Sequence, residues 1–471
     1  MSVPALRPVV RRTSRYPRSH EIPAQTRNLY LAIIISNYCA FCFGICVGWS
    51  NPAEWRILKH NIYKFKPTRE QWELISSFLP LGVLVCCLPM GALMKYQGCK
   101  SLMYIQVVPY TCSWILFIFA NSVYMLYVAR FLQGICGAAV CQAVPIYLNE
   151  ICQRKYRGLV GSLYYGAILY GIIYNHVLME HIRMQTVHIV NLVLALLFGF
   201  LWIIPDSPFY YASVHKSKKA RSALIWLRGK QHNIDDELKT MVVLVDNELD
   251  PTKDWWQSFK YSVRVSIIIR STVLMIIHYL GGGLNVLMYM DNLLKELADK
   301  KYYLTCLWVL CCSMVLGHLI CLLLVDRIGR RPLLMVSTLI LIVCSLYLCC
   351  WFRLSGNNFQ TKFVIYLFVV AYTMGLGPLA CLLNVELILP TVRPYGCAMS
   401  NLFGWLSVFF VIQWIFYRNY ECIIFEFLVV ILLLSILFIL IFLPETKRLS
   451  ATEIQSKMHA SWTSYNSSDE S

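Results

Sequence analysis

The chain has 471 residues, of which 58% are hydrophobic and only 14% are charged, and its mean hydropathy is +0.57. Soluble proteins carry about 25% charged residues, so this composition excludes an ordinary soluble globular protein. Because the basic residues behind the formal net charge of +17 are spread over the segments between apolar runs, we predict no nucleic-acid partner.

The apolar residues come in runs of about 18 to 24, long enough to cross roughly 30 Å of hydrocarbon as helices. Every backbone group must find its hydrogen bond inside lipid, so helices are the expected form. The sequence therefore predicts an all-α polytopic membrane protein with about twelve transmembrane helices. The predicted spans are 29–49, 73–94, 101–122, 123–145, 158–178, 187–204, 266–289, 303–325, 332–352, 363–384, 396–417 and 422–443.

The basic segment 1–28 precedes the first span and contains no apolar core of a cleavable signal. An even number of spans places both termini on one side of the membrane. The distribution of Lys and Arg assigns that side to the cytoplasm, although the predicted outer loop 50–72 is also basic. We therefore predict a multi-pass protein of the cell membrane, embedded in its lipid bilayer, with both termini cytoplasmic.

Three pairs of motifs recur at nearly one offset. The segment KYQGCKS at 95–101 is a weaker form of DRIGRRP at 326–332, about 231 residues later. The segments 145–158 and 384–396 each place a Glu seven residues before an Arg, about 236 residues apart. PDSP ends the sixth span and PETK ends the twelfth, about 239 residues apart. Isolated charge clusters flank any membrane span, but matched spacing indicates an internal repeat.

The repeat predicts two six-helix halves, 29–204 and 266–443, joined by the polar segment 205–265. Parallel repeats of this kind are the two halves of the major facilitator fold, in which the substrate binds between the halves near the membrane midplane. The joining segment contains SKKARSALIWLRG, whose helical spacing predicts a cytoplasmic linker of short amphipathic helices. Cytoplasmic tails at 1–28 and 444–471 complete the predicted organisation.

The twenty cysteines lie mostly inside the predicted spans, where a free cysteine acts as a small hydrophobe that lets helices pack closely. The predicted outer loops hold almost none, so no disulfide framework is expected. The sequence shows neither nucleophile–base nor metal-ligand spacing, and it lacks the phosphate-binding pattern GxxxxGKS/T. We therefore predict that the protein is not an enzyme and binds neither metal nor cofactor.

In combination these motifs resemble the sugar-porter family of the major facilitator superfamily. The resemblance covers about 29–450 and rests on YVARFLQGICGAAVCQAVPIYLNEICQRKYRG, PDSPFYYASVHKSKKARSALIWLRG, DRIGRRPLL and PETK, in family order. GWSNPAEW at 48–55 and the LRG segment lean toward the facilitated trehalose and glucose transporters of that family. The resemblance implies a carrier of a small-molecule sugar that works by alternating access.

The resemblance also implies an ion-pair network that closes the cytoplasmic gate. Its members are Glu150, Arg157, Asp326, Arg330, Glu386 and Arg393. In the first-half motif the family has Asp, Arg and Arg, where this chain has Lys95, Tyr96 and Cys99. Lys95 reverses the charge, so we expect the first-half contribution to the gate to be weaker or rebuilt.

The sugar-contacting positions of the family are altered as well. The seventh span of the family contains the motif Gln-Gln-x-Ser-Gly-x-Asn, and this chain has YLGGGLN at 279–285. Both Gln are therefore replaced, and the Asn is kept. The Trp of the tenth span and the Gln of the fifth are also replaced, while the Trp of the eleventh is kept. The predicted solute-binding residues are Asn285, Tyr289, Trp405, Tyr165, Tyr279 and Cys381.

Six further polar side chains lie within predicted spans, and we interpret them as helix–helix hydrogen bonds: Asn37, Gln142, His278, Asn384, Asn401 and Gln413. An ionisable residue inside a membrane is also a site candidate by default, but His278 has no visible acid partner. The first predicted span, 29–49, contains no Asp or Glu. The resemblance implies that a proton-coupled sugar porter would have a carboxylate in this span. The absence of a carboxylate from 29–49 therefore favours passive transport.

Two functions remain open. The first is a facilitative uniporter of a hexose or trehalose, favoured by the complete DRIGRRP motif and both Glu–Arg segments. The second is a divergent member that acts as a non-transporting sensor or carries a different, less polar solute. The lost Gln pair and the charge reversal at Lys95 favour the second.

Overall fold

The structure is a computed structural model. It describes residues 27–59, 62–229, 233–248, 262–282, 302–354, 358–417, 421–449, 453–454 and 456–457. Within these ranges the regular structure consists of helices, with no β-strand.

The first half consists of the helices that precede the linker. They are α1 (Arg27–Gly48), α2 (Ser50–Lys59), α3 (Arg69–Gln97), α4 (Cys99–Ile105), α5 (Val107–Ile118), α6 (Val123–Ile151), α7 (Arg157–His181) and α8 (Met184–Leu194), with 3-10 turns at Arg154–Tyr156 and Ala195–Trp202. The start of α3 is fixed by a capping box. Thr68 accepts from the N–H of Gln71 at 3.2 Å, and Gln71 accepts from the N–H of Thr68 at 3.0 Å.

The linker forms α9 (Pro208–Ser213), α10 (Ser217–Arg228) and α11 (Ile234–Glu248). The buried guanidinium of Arg228 donates to the carbonyl of Ile151 at 2.8 Å and pairs with Glu237 at 3.2 Å. Asn28 donates to the carbonyl of Trp226 at 2.8 Å. The linker is therefore fastened to the start of α1 and the end of α6, and we call this end of the helix bundle the linker end.

The second half consists of the helices after the linker. They are α12 (Ser262–Leu280), α13 (Tyr303–Leu324), α14 (Arg330–Leu354), α15 (Asn358–Met374), α16 (Leu376–Leu387), α17 (Arg393–Tyr417) and α18 (Glu421–Phe442).

The helices match the predicted spans. In the described part of the chain, ten helical stretches are long and apolar enough to cross a membrane. The remaining two predicted spans correspond to α7, which has 25 residues, and to α12, whose apolar part is Val265–Leu280. Three of the spans are each built from two helical segments: α4 with α5, α8 with the 3-10 turn Ala195–Trp202, and α15 with α16. The first apolar stretch continues past α1 into α2. The prediction of an all-α membrane protein is confirmed.

Small residues bring the helix backbones into contact. A Cβ added to Gly82 of α3 would lie 2.4 Å from the carbonyl oxygen of Phe131, and one on Gly134 of α6 would lie 2.3 Å from that of Leu79. Lipid supplies no hydrophobic driving force between helices, so close van der Waals packing of this kind holds them together.

The two halves meet mainly along α3 and α7 of the first half, and α6 also contacts α16 and α17. Helix α3 packs against α17 of the second half, and α7 packs against α13 and α16. Side chains on these helices therefore form the surface between the halves.

Candidate functional site

At the linker end the halves are joined by charged groups. The guanidinium of Arg393, at the start of α17, lies 3.5 Å from the carboxylate of Glu150, near the end of α6, and both side chains are buried. The carboxylate of Asp326, from the second half, accepts from the backbone N–H of Leu159 in α7 at 2.9 Å. The linker end is therefore closed by direct contacts between the halves.

Arg330 connects the acidic groups of the second half. One of its terminal nitrogens lies 3.1 Å from Asp326 and the other lies 3.2 Å from Glu386. Glu386 also accepts from the hydroxyl of Thr446 at 2.6 Å. Five of the six predicted gate residues thus form two ion-pair clusters. One contains Glu150 and Arg393, and the other contains Asp326, Arg330 and Glu386. The sixth, Arg157, is half-buried and forms no ion pair within the described residues.

The acid of PDSP caps the helix that follows the first-half motif. Gly98 has φ +84° and separates α3 from α4. The carboxylate of Asp206 accepts from the N–H of Lys100 in the first turn of α4 at 3.2 Å. Burial raises the pKa of Asp206 to about 6, while hydrogen bonds from the backbone N–H groups of Ser207 and Lys100 oppose that rise. At neutral pH the cap is therefore an anion, the charge that a helix N-terminus favours.

The acid of PETK plays the same part in the second half. Gly329 has φ +113° and precedes α14. The carboxylate of Glu445 accepts from the N–H of Arg330 at 3.1 Å and from that of Arg331 at 3.0 Å. The paired motifs therefore recur together because each acid caps the helix that begins after its motif glycine.

PDSP also reaches the contact between the halves. The hydroxyl of Ser207 donates to the carboxylate of Glu150, which in turn faces Arg393. The linker therefore supports the ion pair that crosses between the halves.

The weak first-half motif has a rebuilt contact. The ammonium group of Lys95, at the end of α3, lies 5.4 Å from the ring centroid of Tyr395 in α17. A cation at this distance from an aromatic face is attracted to it. Lys95 thus still contacts the opposite half, although the acid of the family is absent. Cys99, which stands where the family has an Arg, is buried.

Near the middle of the bundle, six buried aromatic side chains from both halves form what we call the midplane cluster. Its members are Phe43 and Tyr165 of the first half and His278, Tyr279, Tyr372 and Trp405 of the second. Ring centroids of Phe43 and Trp405 are 5.9 Å apart, as are those of Tyr165 and His278. The cluster therefore bridges the two halves.

Four predicted solute-binding residues lie in or beside this cluster. The rings of Tyr279 and Trp405 are in contact, tilted by 46° with centroids 5.1 Å apart, and the sulfur of Cys381 lies 4.0 Å from Nε2 of His278. Tyr165 packs so closely against α16 that a Cβ on Gly377 would lie 2.8 Å from its ring.

The two other predicted solute-binding residues, Asn285 and Tyr289, lie outside the described residues. The structure adds Phe43, His278 and Tyr372 to the cluster. His278 drew attention in the sequence only as an ionisable residue within a span, and Tyr372 has no distinguishing sequence signal.

The interpretation of the other polar residues agrees with the structure in several places. Gln142 donates to the carbonyl of Cys87 at 2.6 Å, and Asn401 donates to that of Cys141 at 3.2 Å. Gln413 donates to the hydroxyl of Ser77 at 2.9 Å, which joins α17 to α3. Asn384 accepts from Ser271 at 2.6 Å, which joins α16 to α12. Asn37 is an exception, because it donates within α1, to the carbonyl of Ile33 at 2.9 Å.

A buried arginine in α6 has neutral partners. Arg130 donates to the carbonyl of Cys46 at 2.7 Å, to the side-chain oxygen of Gln133 at 2.7 Å and to the hydroxyl of Ser50. Its guanidinium also lies 5.4 Å from the ring of Trp49. Within the described residues no carboxylate pairs with it.

Residues 31–458 match the family model described as "Sugar (and other) transporter". The chain belongs to this family. It is 35% identical over 463 residues to "Glucose transporter type 3" of Drosophila melanogaster, an alignment that covers 95% of this chain and 91% of that protein. It is 26% identical over 447 residues to "Facilitated trehalose transporter Tret1" of Polypedilum vanderplanki, covering 91% and 87%.

The fold of this sugar transporter family member is also found in solved structures. The proton:xylose symporter XylE, bound to 6-bromo-6-deoxy-D-glucose, superposes with a TM-score of 0.78 at 18% identity, covering 92% of this chain and 99% of that one. XylE is described as a protein of the major facilitator superfamily, so the predicted fold is confirmed. The family is one of transporters, not a class of enzymes.

Proposed function

We propose that the protein is a facilitative uniporter that carries a sugar, either a hexose or trehalose, by alternating access between its halves. The observation that carries this proposal is the pair of contact layers between the halves. At the linker end the halves meet through Glu150 and Arg393, and near the midplane they meet through the midplane cluster. Solute bound at the cluster is released toward the linker end when the ion pairs there separate.

Modest interaction energies suit such a gate. The Glu150–Arg393 pair is buried, but the cost of removing both charges from water offsets much of their attraction. Its net contribution is therefore modest, and it can break and re-form when water enters. The carboxylate of Asp326 contacts a backbone N–H of α7, and Glu150 faces a single guanidinium. Both contacts can be exchanged for water when the linker end opens.

The proposal of uniport rests on Arg130. A proton relay across the membrane needs an ionisable group in the spans that can gain and lose its charge. The groups that contact Arg130 are neutral, and the first predicted span contributes a backbone carbonyl rather than an acid. Transport then follows the solute gradient alone.

The distribution of basic residues supports placing the linker end in the cytoplasm. Exposed Lys216, Lys218 and Lys219 lie at the start of α10, and the linker joins the two halves on this side. Both termini then lie in the cytoplasm of a cell whose surface membrane holds the protein.

Uptake of radiolabelled glucose and trehalose by transporter-null cells that express the protein tests this proposal. We expect saturable uptake of at least one sugar, equal with and without an imposed pH gradient. Accumulation above the outside concentration that a protonophore abolishes would contradict uniport. Cells that express Asp326→Lys at an equal surface level serve as the control. We expect them to lose uptake, because this variant lacks the contacts of Asp326 that close the linker end.

The second candidate function is a non-transporting sensor or a carrier of a less polar solute. It is favoured by the midplane cluster, where Tyr279 and Leu280 stand in place of two amides that hydrogen-bond to sugars in the family. Absence of uptake of both sugars, at normal surface expression, would favour this candidate over the first.

A further inference from the structure

The contacts of His278 favour one tautomer. Its Nδ1 lies 3.2 Å from the carbonyl oxygen of Leu376. A carbonyl oxygen only accepts hydrogen bonds, so Nδ1 carries the hydrogen. The hydroxyl of Tyr372 lies 3.0 Å from the same nitrogen and 3.1 Å from the backbone carbonyl of His278, to which it donates. In the neutral imidazole, Nε2 is therefore an acceptor with a free lone pair.

Nε2 faces a weak partner. Within the described residues the one polar atom recorded near it is the sulfur of Cys381, at 4.0 Å, and a thiol is a weak donor. His278 is only 2% exposed. A buried acceptor without a good donor is unfavourable, so this nitrogen is suited to a donor that arrives with a ligand.

Two donors lie in the same cluster. Within the part of the chain that the structure describes, the hydroxyl of Tyr165 and the indole N–H of Trp405 are buried without a hydrogen-bond partner. The Tyr165 ring approaches His278 edge-on, with centroids 5.9 Å apart. The polar atoms of the cluster that lack a good hydrogen-bond partner thus include one acceptor and two donors, set among aromatic rings.

We propose that Nε2 of His278 accepts a hydrogen bond from one hydroxyl of the transported sugar. This inference rests on the proposed function, and it gives His278 the discriminating contact where the two amides of the family are lost. A pyranose has apolar C–H faces and a rim of hydroxyl groups. The aromatic rings suit the faces, and the few polar atoms of the cluster suit a small part of the rim.

The size of Cys381 belongs to the same arrangement. In the family a Trp stands at this position, and an indole there would occupy the space in front of Nε2. The smaller thiol covers less of this nitrogen, which is buried while the linker end is closed and can meet a solute hydroxyl when the halves separate. Recognition is therefore expected to depend strongly on one hydroxyl and weakly on the others.

Competition by deoxy sugars tests the proposal. Uptake of radiolabelled glucose is measured in transporter-null cells with increasing 1-, 2-, 3-, 4- or 6-deoxy-D-glucose. For the native protein we expect one analogue to inhibit about tenfold more weakly than glucose itself, because it leaves Nε2 unpaired. In His278→Leu that analogue should inhibit as well as glucose does. His278→Gln, whose amide oxygen can accept, should keep part of the discrimination.

His318→Gln is the matched control, since it changes a buried histidine of α13 outside the midplane cluster. We expect it to leave the order of the analogues unchanged. Surface expression of each variant is measured in parallel, and His278→Gln provides a second reading if His278→Leu fails to reach the membrane. Normal uptake with the same discrimination in native protein and both His278 variants overturns this inference alone. No uptake of either glucose or trehalose by the native protein overturns the proposed function and this inference with it.

Discussion

The ammonium group of Lys95 and the ring of Tyr395 come from opposite halves, so their attraction favours the closed linker end. Tyr395→Leu removes the ring and leaves the cation without its aromatic partner. A cation–π contact at an exposed site changes an equilibrium about two- to fivefold. We expect the ratio of closed to open linker end to fall by that factor in Tyr395→Leu. Labelling of a single cysteine, engineered into the cavity at the linker end of a protein without native cysteines, measures the ratio.

Tyr395→Phe is the matched control because it keeps the aromatic face. Its labelling should remain close to that of the native protein. Labelling of Tyr395→Phe as fast as that of Tyr395→Leu would show that the hydroxyl, and not the ring, supports the contact. Lys95→Asp introduces the acid of the family but removes the cation that faces Tyr395. We therefore expect this substitution to weaken the contact between the halves.

Residue identity predicts some contacts between side chains and misses others. Through the resemblance to the family, the sequence motifs imply that Glu150, Arg330 and Glu386 belong to one ion-pair network. In the structure Arg330 pairs with Glu386, while Glu150 faces Arg393. The motifs do not predict that Lys95 faces a ring, since an aromatic residue carries no charge pattern. Arg157 is the opposite case. It matches the motif of the family, but it forms no ion pair with a carboxylate among the described residues.

At the scale of the helices, Gly98 sits where two requirements meet. Its φ of +84° is unfavourable for residues with a side chain, and an added Cβ would lie 2.2 Å from the carboxylate of Asp206. We expect Gly98→Ala to destabilise the protein by about 1–3 kcal/mol, because strain and steric overlap both weaken the cap of α4. The thermal midpoint of the detergent-solubilised protein measures this loss.

Gly199→Ala is the control for the loss of a glycine. Nothing lies within 4 Å of a Cβ built on Gly199, in the 3-10 turn that follows α8. Its thermal midpoint should match that of the native protein. If Gly98→Ala were equally harmless, the cap by Asp206 could not be as tightly fitted as the structure shows.

The positions of the spans follow from hydropathy, but their breaks do not. A hydropathy window of about 18 residues is longer than the junction between two helices and averages over it. The sequence therefore predicts one helix for α4 with α5, and one helix for α15 with α16, which meet at Gly375. The short helix α2 was also missed, because ten residues of mixed polarity inside a predicted loop give no membrane signal. Helix breaks of this kind depend on tertiary contacts such as the hydrogen bond from the N–H of Leu376 to Ser337, at 3.1 Å.

At the scale of the molecule, the repeat in the sequence predicts two halves, and the structure shows what lies between them. The apolar pattern of a span does not reveal which face meets the other half, because both the lipid-facing and the buried faces are apolar. The resemblance to known carriers supplied Tyr165, Tyr279, Cys381 and Trp405, whereas His278 and Tyr372 became members of the cluster only through their contacts. Where the sugar-contacting residues of the family are replaced, the new site can therefore be recognised only from contacts in the three-dimensional structure.

The contact between α7 and α13 gives a prediction for the whole molecule. His318 of α13 enters a notch at Gly166 of α7, where an added Cβ would lie 2.0 Å from its ring. Both ring nitrogens are held by the first half: Nδ1 lies 2.8 Å from the hydroxyl of Tyr170, and Nε2 lies 3.2 Å from the carbonyl oxygen of Ser162. The ring therefore cannot move aside without losing these hydrogen bonds, each of which contributes about 1 kcal/mol.

We expect Gly166→Ala to force α7 and α13 apart and to lower the maximal rate of sugar uptake about tenfold at unchanged surface expression. Gly161→Ala is the matched control on the same helix. There the nearest group is a methyl carbon of Leu382, at 2.4 Å, and a flexible side chain can rotate away. Its uptake should stay within about twofold of the native value, because that adjustment breaks no hydrogen bond. Equal losses in the two variants would mean that general crowding of α7, rather than the notch for His318, limits the movement of the halves.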